Sequence, residues 1–259
     1  MSTRFPSLFI GHGSPMNALE NNHFSAAWTQ IGQRVPKPRA ILSVSAHWFV
    51  PVTAVTVNRE PKTIHDFGGF PEALYQVQYP APGDPGLARR VQELLSPVEV
   101  TLDSGWGLDH GTWSVLRHVY PGADVPVVQL SINSYLSAAS HLELGQALAP
   151  LREEGVLLIG SGNVVHNLKR YNWGDPSCPA YDWASRFEQR AKQLIQAGDC
   201  QPLVNYASLG SDAEQSIPTP EHYLPLLYVL GSKLPGDRAS FPVEGTQGGS
   251  VSMLSVELG

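Results

Sequence analysis

The sequence predicts an α/β fold in which a single domain, residues 1–259, builds a mostly parallel sheet flanked by helices. Short apolar runs rich in β-branched residues have the length of buried strands, and segments with a helical period lie between them. Strands that alternate with helices form right-handed crossovers, which place helices on both faces of a parallel sheet. The 259 residues are 42% hydrophobic, which is enough for a large core.

Five strands and four helices are predicted in chain order. The strands cover residues 7–10, 40–45, 125–132, 156–159 and 250–258, and the helices cover residues 86–95, 141–154, 181–197 and 220–230. The less regular segment 51–82 is expected to add a hairpin or a lid. The helix at 220 has the clearest start, because Thr219 suits the N-cap, Pro220 the first position and Glu221 the first turn. This prediction puts His222 in the first helical turn.

Composition and charge argue against several classes of function. The formal net charge is −6, and the 17 Lys and Arg residues form no long basic run, so a nucleic-acid partner is not expected. No apolar run reaches about 18 residues, so no membrane span is expected. Cys178 and Cys200 form no CxxC pair and are too few for a disulfide framework, which favours a reducing cytoplasmic location. The expected partners are small molecules, and the expected state is a monomer or a small homo-oligomer.

Five of the nine histidines lie in glycine-rich loops, next to predicted strand ends or at a helix start. They are His12 in GHGSP, His47 in SAHW, His110 in DHG, His166 in GSGNVVHN and His222 in PEHYLPL. In an open α/β sheet the ligand crevice lies outside the carboxyl ends of the strands. At least three of these histidines are therefore expected to converge, and the placement of His12 and His47 favours metal ligation. Any one of the five, taken alone, could equally cap a carbonyl or pack against the sheet.

Patterns for other kinds of site are missing from the sequence. GHGSP contains a serine, but no GxSxG elbow exposes a nucleophile. The glycines of GSGNVVHN could cradle an anion, yet neither a GxGxxG nor a Walker pattern is present. A HExxH zinc helix is also missing, so metal ligands would have to come from separate strand ends.

Eight sequence strings follow one another from about Leu8 to the C-terminus: GHGSPMN, SAHWF, TIHDFGGFP, YPAPG, DHGTW, SGNVVHN, IPTPEHYLPLLYVLG and SMLSVEL. In this order they resemble the DODA-type extradiol aromatic ring-opening dioxygenases, of the class III superfamily that includes protocatechuate 4,5-dioxygenase. The resemblance implies an α/β enzyme that opens a catechol such as DOPA with O₂ at a non-haem metal, giving a muconic semialdehyde.

Residue by residue, the resemblance implies that His12, His47 and His222 bind the metal. His166 is similar to the superfamily's second-sphere acid/base histidine, but some members' metal sites are described as including it, so both roles stay open. His110 resembles a histidine that contacts the substrate or oxygen.

One position departs from the wider superfamily, because protocatechuate-type members have a glutamate where this chain has His222. Glu221 is adjacent, but neighbouring side chains on a helix point about 100° apart, so only one of the two is expected to bind. Three neutral histidines leave the site one negative charge poorer than two histidines and a carboxylate. Fe(II) is expected for activity, and Zn(II) is expected to compete for the same nitrogen ligands.

TIHDFGGFP and YPAPG supply His65, Phe67, Phe70 and Tyr79, which are predicted to enclose an aromatic substrate. Aromatic residues are also common in cores, and that explanation serves one or two of them equally well. Two other functions stay open. One is a zinc-dependent hydrolase or amidase, in which the metal activates water. The other is a non-catalytic metal-binding protein on the same scaffold.

Overall fold

A computed structural model describes residues 4–259, and a central sheet organises them. The strands are β1 Ser7–Gly11, β2 Ala40–Val50, β3 Ala54–Thr56, β4 Thr101–Asp103, β5 Val127–Asn133, β6 Val156–Gly162, β7 Ala239–Val243, β8 Thr246–Gln247, β9 Val251–Ser252 and β10 Ser255–Leu258. Eight of them form one sheet in the order β4-β3-β5-β2-β6-β1-β10-β7, and β8 pairs with β9. The central strands β5, β2, β6 and β1 are mutually parallel, while β10 and β7 add antiparallel pairs at one edge. The predicted α/β fold with a mostly parallel sheet is confirmed.

Helices cover both faces of this sheet. They are α1 His23–Arg34, α2 Glu72–Tyr75, α3 Pro85–Leu94, α4 His110–Val119, α5 Ala138–Leu148, α6 Asp182–Ala197, α7 Gln201–Val204, α8 Ser211–Ser216 and α9 Leu224–Gly231. Short 3₁₀ turns occupy Pro15–Ala18, Ala149–Glu153 and Tyr206–Leu209. Among residues 4–259, no helix combines the length and the apolar character needed to cross a bilayer.

Side chains along the central strands alternate between two buried clusters. Leu8 and Ile10 of β1 share a cluster with Trp28 of α1 and Trp113 of α4. Phe9, between them, belongs to the opposite cluster, which also contains residues of α5, α6 and α9. Burying one such side chain contributes about 1.5–3 kcal/mol. Packing on both faces therefore holds the strand ends in a fixed relation to one another.

The last long helix begins later than predicted, at Leu224 rather than at Pro220. The preceding residues form a turn in which the carbonyl of Pro220 accepts from the backbone N–H of Leu224 at 3.0 Å. Pro225 explains the difference, because inside a helix its ring would clash with the carbonyl four residues earlier, whereas the first turn tolerates it. Thr219 is therefore not the N-cap, and His222 lies in the turn before α9.

Two further expectations differ from the structure. The single strand predicted over residues 250–258 is divided into β9 and β10, which belong to different sheets. The segment 51–82 forms no hairpin of its own, because β3 pairs with β5 and β4 instead. The rest of that segment contains α2 and the loop that carries TIHDFGGFP.

Candidate metal centre

The carboxyl ends of β1, β6 and β2 meet at one edge of the sheet, because these strands pair in parallel register. His12 is the first residue after β1. His47 lies inside β2, where the pairing with β5 is interrupted between Val44 and Phe49. Such an irregularity bends the strand and redirects its side chains. The two histidines are therefore brought to the same point from the strands on either side of β6.

Two glycines allow other segments to approach this point closely. A Cβ atom at Gly162 would lie 2.1 Å from the carbonyl oxygen of His222, which accepts a hydrogen bond from the backbone N–H of Asn163 at 2.8 Å. A Cβ at Gly111, in the first turn of α4, would lie 2.9 Å from Cδ2 of His47. Any larger residue at either position would push the His222 turn or α4 away from the strand ends.

The rings of His12, His47 and His222 form one cluster. The Nε2 atoms of His12 and His47 are 3.1 Å apart. One ring nitrogen from each of the three histidines lies within 4.8 Å of the other two. Two nitrogens held about 2.0–2.1 Å from one metal ion are separated by roughly 3.0–3.4 Å at ordinary coordination angles. The three rings thus fit a metal bound by nitrogen ligands.

His12 is held with Nε2 free to coordinate. Its Nδ1 lies 2.9 Å from Oγ of Ser161, and that hydroxyl donates its own hydrogen to the carbonyl of Gly111. Because Ser161 has only one hydrogen to give, it accepts from His12 Nδ1–H. The Nε2 lone pair of His12 therefore faces the cluster, as in metal sites whose ligand histidines donate their other N–H.

Carboxylates perform the same task for the other two histidines. Nδ1 of His47 is 3.2 Å from Oδ2 of Asp66, and Nδ1 of His222 is 3.2 Å from Oε1 of Glu221. An ionised carboxylate only accepts, so His222 donates its Nδ1–H to Glu221 and keeps Nε2 for a metal. The charge of Asp66 beside Nδ1 of His47 favours the same arrangement in that ring. The negative charge that a three-histidine site lacks is thus present one imidazole away, on Asp66 and Glu221. The sequence alone did not indicate that either residue contacts a metal-binding histidine.

The three histidines are neutral at physiological pH. Burial, followed by the neighbouring histidine charges, holds the pKa values of His12 and His222 well below the ordinary 6.5. Burial, followed by the charge of His110, lowers the pKa of His47 to about 3. Neutral imidazoles are the form that binds metal, so the cluster is prepared for coordination.

His166 and His110 lie on either side of the three-histidine cluster. The His166 ring stacks on His222 with centroids 3.5 Å apart, and burial lowers the pKa of His166 to about 4. His110 is the first residue of α4, and its ring centroid is 3.8 Å from that of His47. Its Nδ1 donates to Oδ2 of Asp66 at 2.9 Å. Burial would raise the pKa of Asp66, but the hydrogen bond and charge of His110 and the charge of His47 outweigh it and lower that pKa.

A cavity of about 350 Å³ opens beside the five histidines. Phe67 and Phe70, from the loop predicted to enclose a substrate, line it. Tyr171 and Trp173 line it too, from the segment between β6 and α6 that sequence reasoning did not single out. Trp173 is 68% exposed, which places it at the mouth of the cavity. The pocket therefore has a histidine floor and aromatic walls.

The structure does not bring His65 and Tyr79 into this cavity. His65 donates from Nε2 to the carbonyl of Val77 at 2.9 Å and packs against Trp113. Tyr79 is buried, and its hydroxyl donates to the carbonyl of Tyr120 at 2.9 Å. Both side chains hold the loop in place, because their polar atoms are already paired with backbone groups of the core.

The fold and the site together define an α/β protein with a candidate histidine metal centre at the carboxyl edge of its sheet. Residues 6–247 match the family described as the catalytic LigB subunit of aromatic ring-opening dioxygenase. The chain belongs to this extradiol dioxygenase family, and the resemblance found in the sequence motifs is confirmed. It is therefore an enzyme of the ring-cleaving dioxygenase type.

Individual relatives agree over nearly the whole length. The chain is 54% identical to "4,5-DOPA dioxygenase extradiol" of Escherichia coli K12, over 100% of this chain and 96% of the relative. A protein of the same name from Beta vulgaris is 38% identical, over 95% and 93% of the two chains. The crystal structure of an uncharacterized protein from Escherichia coli K12 superposes with a TM-score of 0.87 at 49% identity, covering 99% of this chain and 100% of the other.

Proposed function

We propose that this enzyme cleaves a catechol such as DOPA in an extradiol ring opening with O₂, giving a muconic semialdehyde, with Fe(II) held by His12, His47 and His222. The observation that carries the proposal is the convergence of three neutral imidazoles with Nε2 free, beside two further histidines and an aromatic-walled cavity. The printed name of the relatives, 4,5-DOPA dioxygenase extradiol, supports DOPA as the first substrate to test.

When bound by such a face of three protein ligands, Fe(II) supplies open positions for both catechol oxygens and for O₂, together with the redox change that links them. The side chains around it manage protons. A neutral His166 can take a proton from an incoming catechol hydroxyl, and the negative charge left on the catechol then favours the protonated ring beside it.

His110 is suited to the complementary step. It donates Nδ1–H to Asp66, which leaves Nε2 available to the cavity that it lines. Nε2 of His110 can therefore contact a substrate oxygen in the cavity and take part in proton transfer as the ring opens. These surroundings support His166 as the proposed base, with His110 as the second candidate.

The cavity walls select the substrate. Phe67 and Phe70 lie on one loop and Tyr171 and Trp173 on another, so a catechol ring can enter between two aromatic surfaces. Aromatic pairs in offset or edge-to-face arrangements contribute about 0.5–1.5 kcal/mol beyond the area they bury. The ring hydroxyls would then point to the histidine floor and the ring substituent towards Trp173 at the mouth.

The test is a catechol panel on protein stripped of metal and reloaded anaerobically with Fe(II). Oxygen uptake and the yellow colour of the semialdehyde should rise together, with one O₂ consumed per ring opened. The same protein loaded with Zn(II) is the control, and it should bind catechols without cleaving them because zinc has no accessible redox change. Hydrolysis of amides or esters by the zinc form, without oxygen, would support the hydrolase instead.

A further inference from the structure

Asp66 contacts two functionally different histidines through a single oxygen atom. Oδ2 accepts from Nδ1 of His110 at 2.9 Å and lies 3.2 Å from Nδ1 of His47. The other oxygen, Oδ1, accepts from the backbone N–H of His110 at 2.8 Å. The carboxylate therefore accepts two hydrogen bonds from His110 and places its charge beside Nδ1 of His47.

The hydrogen bond fixes the tautomer of His110, and the nearby charge of Asp66 favours the same tautomer of His47, with the hydrogen on Nδ1. His47 can coordinate through Nε2 only while its hydrogen is on Nδ1, and His110 presents Nε2 to the cavity under the same condition. Asp109 also holds the start of α4, because its side chain accepts from the N–H of Thr112 at 3.2 Å. Oδ2 of Asp66 thus lies against Nδ1 of both rings and bears on the orientation of each.

We propose that Asp66 is a positioning residue that couples the metal ligand His47 to the proton-transferring His110, so that both rings are oriented by one carboxylate. The His110 half of this inference rests on the proposed function, whereas the His47 half concerns metal binding alone. Removing the carboxylate should weaken metal binding and impair proton transfer at the same time.

Glu221 offers a matched control, because it accepts from Nδ1 of the ligand His222 but has no contact with His110. In Asp66→Asn, one oxygen becomes an NH₂ group, which cannot accept from the donors facing it. Glu221→Gln makes the same change beside a different ligand. Loss of an outer-sphere partner lowers metal affinity by roughly 10–100-fold, so both variants should bind Zn²⁺ more weakly by that factor.

The two variants should differ in the state of His110. Zinc affinity is measured by competition with a chelator, using Zn²⁺ alone, and ring tautomers by ¹⁵N NMR of the full-length protein labelled at histidine and loaded with zinc. Asp66→Asn should disturb the ¹⁵N signals of His47 and His110, whereas Glu221→Gln should disturb that of His222 and leave that of His110 in place. When Fe(II) saturates the site, Asp66→Asn should still have a lower kcat than the parent enzyme, and its KM should change less than its kcat.

Several results would overturn the inference. Asp66→Asn with the parent's zinc affinity and unchanged ¹⁵N signals would show that Asp66 positions neither ring. Two zinc ions bound by the parent, falling to one in Asp66→Asn, would make Asp66 a ligand of a second ion instead.

If Asp66→Asn does not fold, Asp66→Ala answers the same question, since it removes the acceptors without adding a donor. Because affinity and tautomers are measured without turnover, failure to cleave any catechol would overturn the proposed function and leave the His47 half standing.

Discussion

Acidification should unfold the metal-free protein in a pH range set by its buried histidines. His12, His47, His141, His166 and His222 all have pKa values far below 6.5 in the fold, with about 3 for His47 and about 4 for His141 and His166. The unfolded chain takes up protons on these residues near pH 6.5, whereas the folded chain does not. Stability from this source is therefore full above about pH 6.5 and is lost as the pH falls towards 3–4.

The size of the effect follows from the same values. Between pH 7 and pH 5.5, each histidine that stays neutral in the fold but is protonated in the unfolded chain costs about 1.3 kcal/mol. The five residues together cost about 6 kcal/mol, which is a large part of the 5–15 kcal/mol typical of a whole domain. Urea unfolding followed by tryptophan fluorescence, in the presence of a chelator, measures the free energy of unfolding across this range.

A variant lacking one member of the cluster tests the cause. His166→Gln removes a titrating group without replacing any of the three proposed ligands, so its loss of stability between pH 7 and pH 5.5 should be about a fifth smaller. A free energy of unfolding that is equal at the two pH values, or higher at pH 5.5, would refute the reasoning. So would a His166→Gln slope identical to that of the parent.

Three other predictions concern the site. Replacement of His12, His47 or His222 by Ala should in each case abolish stoichiometric metal binding while the chain stays folded. Metal analysis measures the binding and circular dichroism checks the fold. Normal metal content in a variant would remove that residue from the ligand set. His166→Ala should lose on the order of 10²–10⁴-fold in turnover yet retain metal, and loss of metal as well would make His166 a ligand. Trp173→Ala should raise KM for substituted catechols several-fold with kcat nearly unchanged, and steady-state kinetics on catechol itself, which lacks a substituent, provide the control.

The convergence of the histidines was predictable because it depends on sheet topology. Parallel strands that are buried on both faces end at one edge of the sheet. The residues that follow them therefore lie close together, whatever conformation the loops adopt. His12 after β1 and His166 shortly after β6 obey that rule directly. The turn before α9 brings His222 to the same place although the predicted helix start was wrong, since Pro225 moves the start of the helix without moving the turn.

Loop residues were harder to place, because composition does not say which way a side chain faces. Tyr79 and Phe67 both belong to aromatic loop strings, yet the hydroxyl of Tyr79 finds a carbonyl in the core while Phe67 lines the cavity. The sequence did contain an indication that Tyr171 and Trp173 belong to the site. They follow His166 in a segment rich in Asn, Gly, Asp and Pro at the carboxyl end of a central strand, where a surface tryptophan is more informative than a buried one.

The position of the two carboxylates leads to a prediction about metal choice. Asp66 and Glu221 restore negative charge to the site, but they contact Nδ1 atoms of ligands, so all three proposed protein donors are nitrogen. Nitrogen-rich sites bind Zn²⁺ more tightly than Fe²⁺, and charge one imidazole away strengthens the binding of either ion without reversing that order. Equilibrium dialysis of the metal-free protein against equal concentrations of the two ions, under anaerobic conditions, should therefore yield mostly the zinc form. Preferential retention of iron would contradict this and would require a carboxylate, such as that of Glu221, to move into direct contact with the metal.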